Sequence, residues 1–338
     1  MRGTPVPAGG AEVDEDGPVV ALLAPLPATV VGDRWPQVTV HTPDPELGPE
    51  AAAAAACAGA EVVVADWSGR HRVAGAALDA LGERCRLVQV PAAGLDAVDA
   101  AGLHARGIPL ASCAGLNDVA VAEWCVWAVL DALKQTSWAD RALRDGRFEQ
   151  LGHARFELAG RRVGIVGLGS IGAAVARRLA GFDVEVVHHS RRPRTAAEEA
   201  TLGVRGVPLD ELVATADVVV LACALTDETR GLFDADRLAR CKHGAVLVNA
   251  ARGEVVDEVA LARAVDEGRL HAAATDVFST EPPPAGHPLV GHERITATPH
   301  LAGASAESVG RIFGRVFANL DAVLTGTGEV VGLVAPPR

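Results

Sequence analysis

Several features that would classify the chain at once are missing. Its 338 residues contain no apolar run that is long and uncharged enough to cross a membrane. The first residues, MRGTPVPAGGAEVDEDGP (1–18), lack the apolar stretch of a secretory signal and read as a flexible Pro/Gly/acidic tail. The protein is therefore expected in the cytoplasm. The cysteines at 57, 85, 113, 125, 223 and 241 form no C-x-x-C pair, and several lie in apolar runs. They read as reduced, partly buried thiols rather than a disulfide framework or zinc site, so no metal is expected. Basic charge is also scarce: 31 Lys+Arg face 43 Asp+Glu, a formal net charge of −12, and lysine occurs only at 134 and 242. Gripping a phosphate backbone or an anionic bilayer needs a dense basic face, so neither nucleic acid nor membrane is an expected partner.

What the chain does contain is ordinary globular material, 49% apolar and 22% charged, at a length that suggests two domains. Short Val- and Leu-rich runs alternate with helical patterns. Strands are expected at 19–23, 38–41, 61–65, 87–90 and 109–113, with helices at 50–58, 74–81 and 95–105. A long apolar helix follows at 118–134, with Asn117-Asp118 as its cap signal, then a polar helix at 137–145 and an extended excursion over 146–160. A second series places six strands at 163–166, 184–188, 218–222, 245–249, 272–276 and 295–297, and a last helix at about 304–324. Strands separated by helices imply βαβ units, parallel sheets and a doubly wound α/β fold.

The segment VGIVGLGSIG (163–172) is G-x-G-x-x-G between a strand and a helix, the context that gives this otherwise weak motif its meaning. Gly167 permits the tight turn, Gly169 lets the backbone approach a pyrophosphate, and Gly172 lets helix and strand pack closely. The helix start, Ser170 and Ile171, offers free N–H groups to phosphate. After the next strand, sites for NAD usually carry an acidic residue that accepts from the ribose 2′-OH. Here stand Ser190, Arg191 and Arg192. Guanidinium groups suit a 2′-phosphate, so NADP is the expected cofactor over NAD; the alternative is that both arginines are solvated loop charges. His188, His189 and His287 read as structural.

The segments LVQVPAAGLDAVD (87–99), CAGLNDVAVAEW (113–124), VGIVGLGSIG (163–172), LACALTDETRGLF (221–233), VLVNAARGEVVDEVAL (246–261), AAATDVFSTEPP (272–283) and TPHLAGAS (298–305) together resemble the D-isomer-specific 2-hydroxyacid dehydrogenases, a family that includes glyoxylate/hydroxypyruvate reductases. The resemblance runs from about Val19 to about Leu324. It implies two Rossmann-like domains, a substrate domain of 1–112 plus 299–338 interrupted by a cofactor domain of 113–298, and a homodimer built through 118–155. It places the catalytic trio on Arg252, Glu281 and His300. Reduction of a 2-oxo acid needs a proton on the carbonyl oxygen, which His300 can supply; Glu281 would favour its protonated form, and Arg252 would hold the substrate carboxylate. Ala92, Ala93, Gly94 and Asn117 are implied on the substrate side, with Asn117 as a simple helix cap the other reading. Ala224, Thr229, Ala250 and Asp276 are implied near the cofactor, with Asp276 as a structural hydrogen-bonder the other reading.

Two departures stand out. Ala224 replaces the Pro that many members carry, which would loosen the turn bordering the nicotinamide. The loop 91–94 has no Lys or Arg to clamp a phosphorylated substrate. The expected activity is reduction of a small 2-oxo acid to the D-2-hydroxy acid. The alternatives are a biosynthetic reductase of an unusual 2-oxo acid such as a phosphonate, and a dinucleotide-sensing scaffold of the corepressor type. Formate is disfavoured by Glu281.

Overall fold

The computed structural model describes residues 17–336, so the expected N-terminal tail lies outside the described residues except for Gly17 and Pro18. The chain divides into two compact units, Met1–Asn117 with Ala306–Arg338, and Asp118–Ser305. The divisions fall where two long helices begin, a few residues beyond the expected 112/113 and 298/299.

In the first unit, strands β1 (Val19–Leu22), β2 (Thr39–His41), β3 (Val62–Val64), β4 (Leu87–Gln89) and β5 (Leu110–Ala111) form one parallel sheet in the order β2-β1-β3-β4-β5. The inner strands are buried on both faces, which is why they read as unbroken Val/Leu runs rather than alternating ones. The expected helix 95–105 starts only at Ala100, because the Asp99 carboxylate caps it through the Gly102 N–H at 2.8 Å. The helix Ala306–Thr325 lays Val316, Leu320 and Val323 over this sheet. Its buried Asn319 donates to Gln89 Oε1 at 2.6 Å and accepts the Val331 N–H at 2.8 Å. Chain ends remote in sequence are thereby locked onto one sheet.

The second unit holds seven parallel strands: β6 (Arg162–Val166), β7 (Glu185–His189), β8 (Val204–Gly206), β9 (Val218–Leu221), β10 (Ala245–Asn249), β11 (Leu270–Thr275) and β12 (Ile295–Ala297), in the order β12-β11-β10-β9-β6-β7-β8. Six were expected. The seventh, β8, is an edge strand of three residues whose last two are exposed, too short and too polar to show a period. The order reverses beside β6, so β6 and β9 flank the crevice where doubly wound sheets take their ligands.

The helix Asp118–Lys134 is apolar nearly all round because its own unit covers most of it: Val121, Trp124, Cys125, Ala128 and Val129 lie in a core with β10, β11 and the helix Ser170–Leu179. Its cap signal is not used, since the buried Asn117 Oδ1 has no hydrogen-bond partner. All six cysteines are free, and burial pushes five thiols to about 11 or 12 and the sixth, Cys223, upward.

Candidate active site

The glycine loop leaves β6 through Gly167, whose φ of 96° only glycine adopts freely. A Cβ on Gly167 would also stand 2.7 Å from the Cys223 backbone, and one on Gly172 would stand 2.1 Å from Gly167 O. A Cβ on Gly169 would meet nothing within 4 Å, so the loop is tight at its ends and open at its middle.

Beside that opening lies a cavity of about 420 Å³. Of the expected cofactor residues, Gly167, Gly169, Ser190, Arg191, Arg192, Ala224 and Thr229 line it. Ser170, Ile171, Gly172, Ala250 and Asp276 do not. His189, expected to be merely structural, lines it too, and so do Arg194 and Glu228, which sequence reasoning missed. Arg194 donates to Leu168 O in the glycine loop and pairs with Glu198 at 3.2 Å. Glu228 pairs with Arg191 at 3.6 Å. The turn after β9 is braced despite Ala224: Thr229 Oγ1 donates to Ala224 O and accepts the Thr226 N–H, each at 2.8 Å. Open glycine, cavity and basic rim fit the phosphates and adenosine end of a dinucleotide.

Arg252, Glu281 and His300 belong to loops after β10, β11 and β12. Asn249, buried at the end of β10, accepts the Ala251 N–H and donates to Arg252 O, both at 3.0 Å, and so shapes the turn that presents Arg252. Next to it, a Cβ on Gly253 would lie 1.9 Å from the Phe278 carbonyl carbon, so the Arg252 turn rests directly on the 278–279 backbone. That segment is fastened in turn by Glu258, which accepts the Ser279 N–H at 3.0 Å. Glu281 accepts the Phe278 N–H at 3.0 Å through one oxygen and meets His300 Nδ1 at 2.7 Å through the other.

His300 sits at a φ of 51°, a left-handed conformation that a side chain disfavours. Its N–H bonds to Asp276 O at 2.8 Å, and the Asp276 carboxylate takes Thr298 Oγ1 at 2.6 Å, Leu301 N at 2.9 Å and Ala302 N at 2.7 Å. Asp276 thus uses its carboxylate to hold the His300 loop. Burial raises its own pKa against these bonds.

The pair is electrostatically biased. The hydrogen bond that His300 donates to Glu281 holds the His300 pKa above its ordinary value, against burial and the positive charge of Arg252. For Glu281, burial is the largest single influence and pushes upward, but the bonds to His300 and Phe278 N–H outweigh it and the net shift is downward. The positive charge of Arg252 acts on both groups, lowering the pKa of each.

Residues 126–302 match the family model described as D-isomer specific 2-hydroxyacid dehydrogenase, NAD binding domain. The chain belongs to that family. Relatives agree: a glyoxylate reductase of Thermofilum pendens is 36% identical over 71% of this chain and 72% of its own. A D-3-phosphoglycerate dehydrogenase of Mycobacterium leprae is 38% identical over 72% of this chain but only 46% of its own. The crystal structure of a glyoxylate reductase from Paecilomyes thermophila superposes with a TM-score of 0.82 at 27% identity, over 94% of this chain and 98% of that one. Membership brings a reaction class, dehydrogenation with a nicotinamide dinucleotide. Among the described residues, no helix is long and apolar enough to cross a membrane.

In the first unit, Ala92, Ala93 and Gly94 form a half-buried loop after β4, anchored by the Cys113 N–H on Ala92 O at 2.9 Å.

Proposed function

We propose that this dehydrogenase reduces a small 2-oxo acid, glyoxylate or hydroxypyruvate first, to the D-2-hydroxy acid, and prefers NADPH. The observation that carries the chemistry is the Glu281–His300 contact. With Nδ1 engaged by Glu281, the imidazole has only Nε2 left for substrate, and the upward shift of its pKa favours a proton there. When bound, the reduced cofactor supplies the hydride. His300 then gives its Nε2 proton to the carbonyl oxygen, while Arg252 holds the substrate carboxylate and draws charge from the carbonyl. On the family resemblance, Ala92–Gly94 and Asn117 are further substrate-side residues; the unpaired Asn117 Oδ1 can accept from a ligand.

The cofactor preference is supported by the cavity rim, where Ser190, Arg191 and Arg192 stand after β7 and the strand end carries no carboxylate. The small substrate is supported by the names of the glyoxylate reductases and by the lack of any basic side chain in 91–94. The test is kcat/KM for a panel of 2-oxo acids with NADPH and NADH. A clear preference for NADH overturns the cofactor reading, and no turnover on any small 2-oxo acid overturns the substrate reading. Ser190→Asp is expected to move the preference toward NADH.

We also infer a homodimer through 118–155. Trp127, Leu143, Phe148 and Leu151 are exposed there, the last at 94%, and large apolar groups on one segment favour a covering partner. A monomeric mass by light scattering at micromolar concentration overturns this.

A further inference from the structure

Strand β7 ends in a buried polar chain that the reaction above does not use. His188 is only 3% exposed. Its Nε2 lies 3.0 Å from Glu199 Oε1, on the helix Ala196–Leu202, and its Nδ1 lies 3.3 Å from Ser190 Oγ. Ser190 Oγ accepts the Leu168 N–H at 2.9 Å, inside the glycine loop. The space for this chain depends on Gly206 of β8: a Cβ there would stand 2.6 Å from Glu199 Oε1 and 3.4 Å from His188 Nε2. Glu199, His188, Ser190 and Leu168 thus form one line of hydrogen bonds that ends on the cavity wall.

We propose that Glu199, acting through His188, sets which way Ser190 directs its proton, and so makes Ser190 the group that reads the adenosine 2′ position. The inference rests on the cavity being the cofactor site. A serine hydroxyl has one proton and two lone pairs, and Leu168 N–H occupies one lone pair. If His188 is neutral, an ionised Glu199 can only accept, so the ring proton sits on Nε2 and Nδ1 must accept from Ser190. The hydroxyl then shows the cavity a lone pair, which suits a ribose 2′-OH and offers nothing to a 2′-phosphate. If His188 is protonated, Nδ1 donates to Ser190, and the hydroxyl proton turns to the cavity, where a 2′-phosphate accepts it. Binding a 2′-phosphate therefore draws a proton onto His188, and Glu199 is the positioning residue that favours it.

No competing titratable group flanks His188 in the sheet: its register partners are Ile165 on β6 and Gly206 on β8. Glu199 is the charged group that meets the ring, and Arg191, Arg192, Arg194 and Glu228 line the cavity on which the chain of hydrogen bonds ends. Among the described residues, Glu199 alone is paired with the ring.

The test is calorimetric titration of the full chain with 2′,5′-ADP and with ADP between about pH 7 and pH 9, where a phosphate monoester is already a dianion. The Kd for 2′,5′-ADP is expected to rise about tenfold over that range with proton uptake on binding, while that for ADP stays within about twofold. Glu199→Gln, at a partly exposed position, is expected to weaken 2′,5′-ADP about tenfold and to flatten its pH dependence, sparing ADP. In a Ser190→Ala background the same change should alter 2′,5′-ADP binding less than about twofold. Equal weakening of both ligands by Glu199→Gln, or no proton uptake by the wild type, overturns the relay. If neither ligand binds, the cofactor reading of the cavity fails and takes the relay with it. If both bind and Glu199→Gln keeps the wild-type ratio, only the relay fails.

Discussion

The proposed catalytic corner and the proposed cofactor rim of the second unit hold their charges in opposite ways. At the corner each carboxylate is fully engaged: Glu281 between Phe278 N–H and His300, Asp276 among three donors, Glu258 on Ser279. Backbone meets backbone at Gly253. At the rim, Arg191 is 63% exposed and meets Glu228 only at 3.6 Å, and Arg192 is exposed with no ion pair among the described residues. A proton transfer needs donor and acceptor fixed to a few tenths of an ångström, whereas a phosphate can be held by charges that adapt on binding. Substitutions should therefore act sharply at the corner and gently at the rim.

The largest effect is expected from His300→Ala. It removes the proposed proton donor, so turnover should fall by about 10³-fold or more while NADPH binding by fluorescence titration is unchanged. Near-wild-type rates would break the assignment. Gly253→Ala comes next, since its Cβ would be forced into the Phe278 backbone and the overlap can be relieved only by shifting the Arg252 or Glu281 loop. A stability loss of about 1–3 kcal/mol is expected in thermal unfolding, together with a lower kcat. Wild-type Tm and kcat would show that these two loops are not mechanically joined.

Glu281→Gln sharpens the comparison through pH. His300 has a raised pKa chiefly because of Glu281, so reduction should run fully below that pKa and decline as pH climbs through it. Replacing the carboxylate removes the main cause, and the alkaline limb of the reductive profile should move to lower pH. The same sign applies to stability: the share linked to His300 is complete below the ordinary imidazole pKa and fades as pH rises through the folded value. An unmoved alkaline limb would mean that the pair does not set the protonation of His300.

Which residues were legible in the sequence follows the same division. Buried Val/Leu strands announce themselves as runs, and the glycine loop as a strand–turn–helix motif. The trio comes from three motifs and lands on three adjacent strand ends. The short strand Val204–Gly206 has no run to show, and the helix Ala196–Leu202 went unread although Thr195 and Glu198 form a capping box. Asp276 and Asn117 stood in the right segments, but which partner a side chain chooses is a tertiary fact: Asp276 turned to the His300 loop, and Asn117 left the helix end uncapped. Glu228 was invisible for the same reason, since it meets Arg191 only because β7 and the turn after β9 border one cavity.

Glu228 gives the gentlest test. Its carboxylate neutralises part of the Arg191 charge and would also face a 2′-phosphate, so it opposes the preference that the arginines favour. Exposed ion pairs are worth roughly 0.2–1 kcal/mol, so Glu228→Gln should tighten NADPH by about 1.4- to fivefold and leave NADH nearly unchanged. The gain should shrink in molar salt, where the screening length falls to about 3 Å. If the variant instead weakens NADPH, Glu228 holds Arg191 in its binding position, and the rim is as preorganised as the catalytic corner.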